Sequence, residues 1–386
     1  MINDRRRFLR QTLVGSAALG LGLPGWPGTF AASVAAPGPY GALGAPDRHG
    51  VCLPAGFAAR LLATSGEVVA GTDYAWHAAP DGGATFAVDD GGWVYVSNSE
   101  VPDRRGGAGA LRFDAAGAIA AAYRILAGTD INCAGGATPW GSWLSCEEHP
   151  RGLVWECDPL RPGQGIARPA LGAFTHEAAA VDPATGYVYL TEDTGDSRLY
   201  RFRPTVAGQL ADGVLEAARA DETGRVSWLA IAPTGPCRER GTTEFARGEG
   251  ACFHRGVLYF CTTADDRVWA LDTASDRLEV VYDAEQLGRA APLRDPDNLT
   301  VHLPSGDLYV AEDPDDLQLV LLAEHGGQRV VAPFLQLVGH DGSEITGPAF
   351  SPDGARLYFS SQRGTGGDYE APGMTFEVTG PFRGRG

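Results

Sequence analysis

The residues best able to do chemistry in this chain of 386 are acids, cysteines and arginines, not a nucleophile paired with a base. No Gly-x-Ser-x-Gly elbow, His-Glu-x-x-His pair or Walker-type phosphate loop occurs. Lys is absent, so all 31 basic residues are Arg, and any fixed cation for an oxyanion must be a guanidinium. The acids Glu100, Glu148, Glu177, Glu192, Glu249, Asp297, Glu312 and Glu344 stand far apart in sequence but recur beside similar strand-like segments. Carboxylates gathered at one point repel or raise one another's pKa, and a hard cation taking about six to eight oxygen ligands resolves that conflict. A thiolate at Cys146 would suit a softer transition ion, so the set reads as a mixed site for calcium with iron or zinc.

A repeated hairpin would do the gathering. Its later strand reads Val94-Tyr95-Val96, Trp143-Leu144, Val188-Tyr189-Leu190, Leu258-Tyr259-Phe260, Leu308-Tyr309-Val310 and Leu357-Tyr358-Phe359, each after a turn such as Asp182-Pro183-Ala184-Thr185-Gly186 or His254-Arg255-Gly256. Copies spaced about 45 to 70 residues apart match four-stranded propeller blades. The fold class expected is all-β, a six-bladed β-propeller over residues 37–386, with Pro204–Gly248 an inserted loop; a β-sandwich is the alternative. Antiparallel partners lie at equal distance from their turn, so each later strand can be reflected onto the earlier one. Glu192 then faces Glu177, Cys261 faces Glu249, Glu312 faces Asp297 or Asn298, Ser361 faces Ile345 beside Glu344, and Cys146 faces Cys133. Glu100, past the first copy, can join them at one mouth of the channel. A Cys133–Cys146 disulfide remains open beside a metal-bound Cys146, since seven cysteines leave at least one unpaired. His176 beside Glu177 reads as an ordinary polar strand-end residue.

The N-terminus is expected to be a signal. Asp4-Arg5-Arg6-Arg7-Phe8-Leu9-Arg10 has the twin-arginine pattern, Thr12–Leu23 is a short, weakly apolar run, and Ala32-Ser33-Val34-Ala35-Ala36 offers small residues for cleavage. Residues 1–36 would thus be a leader read by the twin-arginine translocase. The destination is periplasmic or secreted, with no stable membrane insertion afterwards. The net charge is −17; the leader's four Arg against Asp4 leave about −20 on the body, which repels nucleic acid and holds divalent cations. A monomer is expected.

Asn132-Cys133-Ala134-Gly135-Gly136, followed by Thr138-Pro139-Trp140-Gly141-Ser142-Trp143-Leu144-Ser145-Cys146-Glu147-Glu148, resembles the signature of the PhoX-type alkaline phosphatases. The resemblance continues in order through His176-Glu177, Thr191-Glu192-Asp193, Arg247-Gly248-Glu249, Asp297-Asn298-Leu299, Ala311-Glu312-Asp313 and Glu344-Ile345-Thr346-Gly347-Pro348. It implies a twin-arginine-exported six-bladed propeller that hydrolyses phosphomonoesters with Fe3+ and Ca2+. It also implies Cys146 as the iron thiolate and Glu177, Glu192, Glu249, Asp297, Glu312 and Glu344 as ligands, with Glu148 on the strand face of Cys146. Arg247 would bind phosphate oxygens, and Arg363 is a second cation to steady their charge. The expected activity is hydrolysis of a small phosphate ester. A calcium-dependent lactonase and a non-enzymatic metal-binding or docking propeller are the alternatives, separable by elemental analysis.

Overall fold

A computed structural model of the chain describes residues 33–163, 165–239, 241–313, 316–367 and 371–384. The twin-arginine segment, residues 4–10, and the apolar run of 12–23 lie outside the described residues. The first strands are β1 (Val34–Ala35), β2 (Val51–Cys52) and β3 (Ala58–Thr64). Blade 1 follows as β4 (Pro80–Ala87), β5 (Trp93–Ser99), β6 (Gly106–Phe113) and β7 (Ile119–Thr129). Blade 2 is β8 (Asn132–Ala137), β9 (Trp143–Glu147), β10 (Val154–Cys157) and β11 (Gly165–Ala167). Blade 3 has five strands, β12 (His176–Val181), β13 (Val188–Glu192), β14 (Tyr200–Val206), β15 (Gln209–Ala220) and β16 (Val226–Ile231). Blade 4 is β17 (Gly248–His254), β18 (Val257–Thr262), β19 (Arg267–Asp272) and β20 (Arg277–Asp283). Blade 5 is β21 (Pro296–His302), β22 (Asp307–Glu312), β23 (Gln318–His325) and β24 (Gln328–Leu337), with β1 and β2 added along β24. Blade 6 comprises β25 (Ile345–Phe350), β26 (Arg356–Ser361) and β27 (Met374–Thr379), and its outer strand is β3 from the other end of the chain. Sequence-distant strands thus close the ring, and the innermost strands β4, β8, β12, β17, β21 and β25 contact one another in cyclic order.

The expected six-bladed propeller is therefore the fold. The repeated hairpins are the first two strands of each blade, and their turns have the anticipated chemistry. Arg255 and Gly256 both have positive φ (51° and 83°), the two-residue turn whose twist matches the strands it joins. Residues 204–248 differ from expectation. Within this stretch β15 pairs with β14 on one edge and with β16 on the other, adding a fifth strand to blade 3.

The later strand of each hairpin is buried on both faces, which explains why it reads as a continuous apolar run. Six apolar clusters result, one between each neighbouring pair of blades. The recurrent tyrosines Tyr95, Tyr189, Tyr259, Tyr309 and Tyr358 all sit in them. At the closing interface Tyr95 stacks on Tyr358 at 4.9 Å, and Trp93 donates its indole N–H to the Tyr358 hydroxyl at 2.8 Å. No helix among the described residues is long and apolar enough to cross a membrane.

Candidate metal centre

Every innermost strand breaks register with its partner near its start. Pairing holds at Pro80–Ser99, Asn132–Glu147, His176–Glu192, Gly248–Thr262, Pro296–Glu312 and Thr346–Ser360, then slips by one residue. A β-bulge of this kind re-aims a side chain. The residue just inside each slip is Asp81, Cys133, Glu177, Glu249, Asp297 and Gly347. Five blades therefore turn a metal-ligand type of side chain inward at the same level, and the sixth offers none. The residue just past the second strand supplies a second tier: Glu100, Glu148, Asp193 and Asp313, with Thr263 in blade 4.

The two tiers merge. Ligand atoms of Asp81, Glu100 and Cys133 lie within 4.8 Å of one another, as do those of Cys133, Glu148 and Glu177, and those of Glu177, Glu249 and Asp297. The groups share members, so they form one arc across blades 1 to 5. Close packing of the inner strands makes this possible. A Cβ on Gly82 would stand 2.5 Å from the Ala134 Cα, and one on Gly250 2.7 Å from the Asn298 Cα. Asn98, fully buried, fixes the Cys133 bulge by donating to the carbonyls of Cys133 (3.0 Å) and Ala134 (2.8 Å), while Trp143 and Ser145 donate to its own oxygen.

The electrostatics are those of a cation trap. Burial pushes Asp81 up to about 6. Burial and then the charge of Asp81 push Glu100 up to about 8. Glu148, Glu177, Glu249 and Asp297 are driven well above the carboxylate range, by burial first and then by the surrounding carboxylates, Asp81, Glu100, Asp193 and Asp313 among them. The Cys133 thiol is raised by burial and by the carboxylates of Asp81, Glu177, Glu148 and Glu100, and it donates to Glu177 Oε1 at 3.3 Å. Glu177 Oε2 is buried with no hydrogen-bond partner among the described residues. Clustered acids, a thiol and an orphaned carboxylate oxygen are a donor set that fits cations and little else.

Not every expected ligand is here. Cys146 is a correction: its thiol packs with Leu144, Val154, Phe174 and Ala179 in the cluster between blades 2 and 3, and burial raises it. Asn132 pairs with Glu147 and Gly135 with Ser145, so Cys146 stands opposite the bulge but turns into the inter-blade cluster, and the thiol at the centre is Cys133. The two cysteines are free, so they are not a disulfide. Glu192 is a second correction. It pairs with Arg238 at 2.8 Å and accepts from the Tyr200 hydroxyl (2.7 Å) and the Arg198 N–H (3.2 Å). Glu312 is a third, accepting the backbone N–H groups of Arg294 (2.9 Å) and Gln318 (3.1 Å). Glu147 does the same for Asp130 and Leu153. These strand-end glutamates hold loops. Glu100, Glu148, Glu177, Glu249 and Asp297 are in the arc. Glu344 lies at its edge, raised by burial and by Asp313, Asp297, Glu100 and Asp81, and is paired with Arg363 at 2.9 Å. His176 stacks on Phe174 and points to the Gly172 carbonyl, its pKa lowered to about 3 by burial.

Arg247 spans blades 3 and 4, bonded twice to Asp193 at 2.9 Å and lying 3.3 Å from Glu249. Its backbone is left-handed (φ 55°) and fastened at both ends, through Thr194 O and Thr263 N. Its side chain is 44% exposed, open enough for an incoming anion. Below the arc the channel continues as a cavity of about 440 Å³ lined by small residues such as Gly83, Gly136, Ala180 and Ala251. No ring acid lines it, so the charged chemistry faces the other mouth. Sequence reasoning missed Asp81, Asp193, Asp313 and Gln362. Reflecting Ser99 through the first turn would have reached Pro80, next to Asp81.

The alkaline phosphatase PhoX family model matches residues 72–152 and 149–364. The chain belongs to the PhoX alkaline phosphatase family. Among solved structures it is similar to Pseudomonas fluorescens PhoX in complex with vanadate, a transition-state analogue, with a TM-score of 0.69 at 17% identity over 92% of this chain and 99% of that one. A structural-genomics protein of unknown function from Bacteroides thetaiotaomicron gives a TM-score of 0.50 at 10% identity, covering 83% and 76%. A gluconolactonase from Xanthomonas campestris reaches 0.46 at 14% identity over 89% and 99%, too distant to carry an argument. At these identities the likeness is one of fold. No curated protein matches the sequence.

Proposed function

We propose that this PhoX-family chain is an exported, metal-dependent phosphomonoesterase, a monomer acting on small phosphate esters in the periplasm or outside the cell. The observation that carries the reading is the arc itself: Asp81, Glu100, Cys133, Glu148, Glu177, Glu249 and Asp297 brought together by bulges in five blades. The carboxylates would hold calcium, and Cys133 with its neighbours would hold iron. Bound there, the cations supply Lewis acidity toward a phosphoryl group.

The protein's own part is to hold and orient. Burial of the acids in a rigid ring fixes the ligand atoms before any ion arrives. Arg247 is the catalytic and substrate-binding cation by this reading. Asp193 keeps its fork aimed across the mouth, and a phosphate oxygen can be taken up by the exposed face of the guanidinium. Arg363, tied to Glu344 and to the Gly342 carbonyl, is a second cation for the charge on the ester.

The test is hydrolysis of an aryl phosphate by the purified chain as isolated, after chelation, and after readdition of calcium, with elemental analysis alongside. Iron and calcium in the protein with chelator-sensitive turnover support the reading. Turnover that survives metal removal, or none with metals loaded, defeats it. Calcium alone with lactone turnover would favour the lactonase, and a protein free of metal would favour a scaffold.

A further inference from the structure

Blade 6 is the blade whose bulge carries no side chain, Gly347, and a neighbouring residue fills the gap. Gln362 follows the last residue of β26 and is fully buried. Its backbone N–H is bonded to the Glu344 carbonyl at 3.1 Å, which fixes the side chain's origin. Its amide nitrogen donates at 2.6 Å to Asp81 Oδ2 and at 2.6 Å to Glu100 Oε2. These carboxylates belong to the Asp81–Glu100–Cys133 group. The amide oxygen, by contrast, is buried with no partner among the described residues.

A buried amide oxygen without a partner costs free energy unless something comes to it. The nitrogen and oxygen of a glutamine exchange places by a half-turn about the last side-chain bond, and both orientations fill the same volume. Facing two carboxylates alone, the nitrogen is the favoured end. Facing two carboxylates that share a cation, the oxygen is favoured, because amide oxygens are ordinary ligands for hard ions and an N–H is not.

We propose that Gln362 is the sixth blade's ligand, its amide turning over to place the oxygen on a calcium-type ion shared with Asp81 and Glu100. This rests on the reading of the arc as a metal centre and adds to it a neutral ligand and an orientation that reports occupancy. The neutral ligand also holds the charge of that subsite to two carboxylates beside the Cys133 thiol.

Gln362→Ala and Gln362→Glu in the full chain test it, with calcium and terbium as probes. Calcium affinity is read from chelator competition, and the number of waters on bound terbium from luminescence lifetimes in H2O and D2O. Gln362→Ala should bind calcium about tenfold more weakly and gain one water on terbium. The near-isosteric Gln362→Glu supplies an oxygen and should keep the native water count, with calcium affinity no weaker than native. An unchanged water count in folded Gln362→Ala would overturn the proposal. So would a Gln362→Glu protein that loses calcium as Gln362→Ala does, since that is the behaviour of a residue needed for its N–H groups. Native protein that binds neither ion would instead overturn the metal centre itself.

Discussion

Cys133 and Cys146 share one hairpin and face different surroundings, one among carboxylates and the other among Leu144, Val154 and Phe174. Reflection through a turn assumes one residue per position on each strand. The bulge after Asn132 breaks that assumption, and the error is largest at the tip, where the chemistry sits. A thiol at the tip of blade 2 was therefore legible, but on the wrong strand of its hairpin: Cys133 of β8 is at the centre, and Cys146 of β9 is not. Cys133→Ser should lower bound iron and phosphatase activity together. Cys146→Ala should keep both and cost about 1–2 kcal/mol of stability, as a small cavity in an apolar cluster does. Metal analysis, turnover and denaturant unfolding of the two variants check this.

The acids themselves give a pH signature once metal is stripped. Asp81 and Glu100 hold protons to about 6 and about 8, well above their ordinary values near 4. The folded chain then binds protons that the unfolded chain has released, so stability falls as pH rises through that window. Chelated protein should melt lower at pH 8.5 than at pH 5. Added calcium, which favours the ionised acids, should raise the melting temperature more at pH 8.5. A chelated protein equally stable at both pH values would contradict this.

At the scale of strands and loops, hairpins were readable because their turns have fixed chemistry, as at Arg255-Gly256, and because the doubly buried second strands are continuously apolar. The roles of Glu192 and Glu312 were not readable. A strand-end glutamate that ligates a metal and one that caps backbone N–H groups stand in the same place in sequence, and only the loop partners decide. Glu192→Gln should leave metal content and stoichiometry native. It should cost about 1–3 kcal/mol, because Arg238, Tyr200 and the Arg198 N–H lose a charged acceptor. Lost metal in this variant would restore Glu192 to the ligand set. Residues 204–248 were misread as a loop because strand β16 is an edge with little apolar alternation, held chiefly by its ladder to β15.

For the whole molecule, six repeats were enough to predict a ring, but not how it closes. Closure depends on β3 pairing with β27, a contact between opposite ends of the chain that leaves no local mark in sequence. A chain beginning at Ser65 would expose the edge of β27 and part of the cluster around Tyr95 and Tyr358. Unpaired edges of this kind seek other chains. The truncated protein should elute as aggregates where the full chain elutes as a monomer, by size-exclusion with light scattering.

The ring's purpose is to bring bulges from five blades to one level, and anomalous diffraction from crystals grown with calcium and iron measures that directly. Peaks within bonding distance of Asp81, Cys133, Glu177, Glu249 and Asp297, with the iron peak on the Cys133 sulfur, are the expected result. An active protein whose metals lie elsewhere, with these five side chains bonded only to protein, would contradict it.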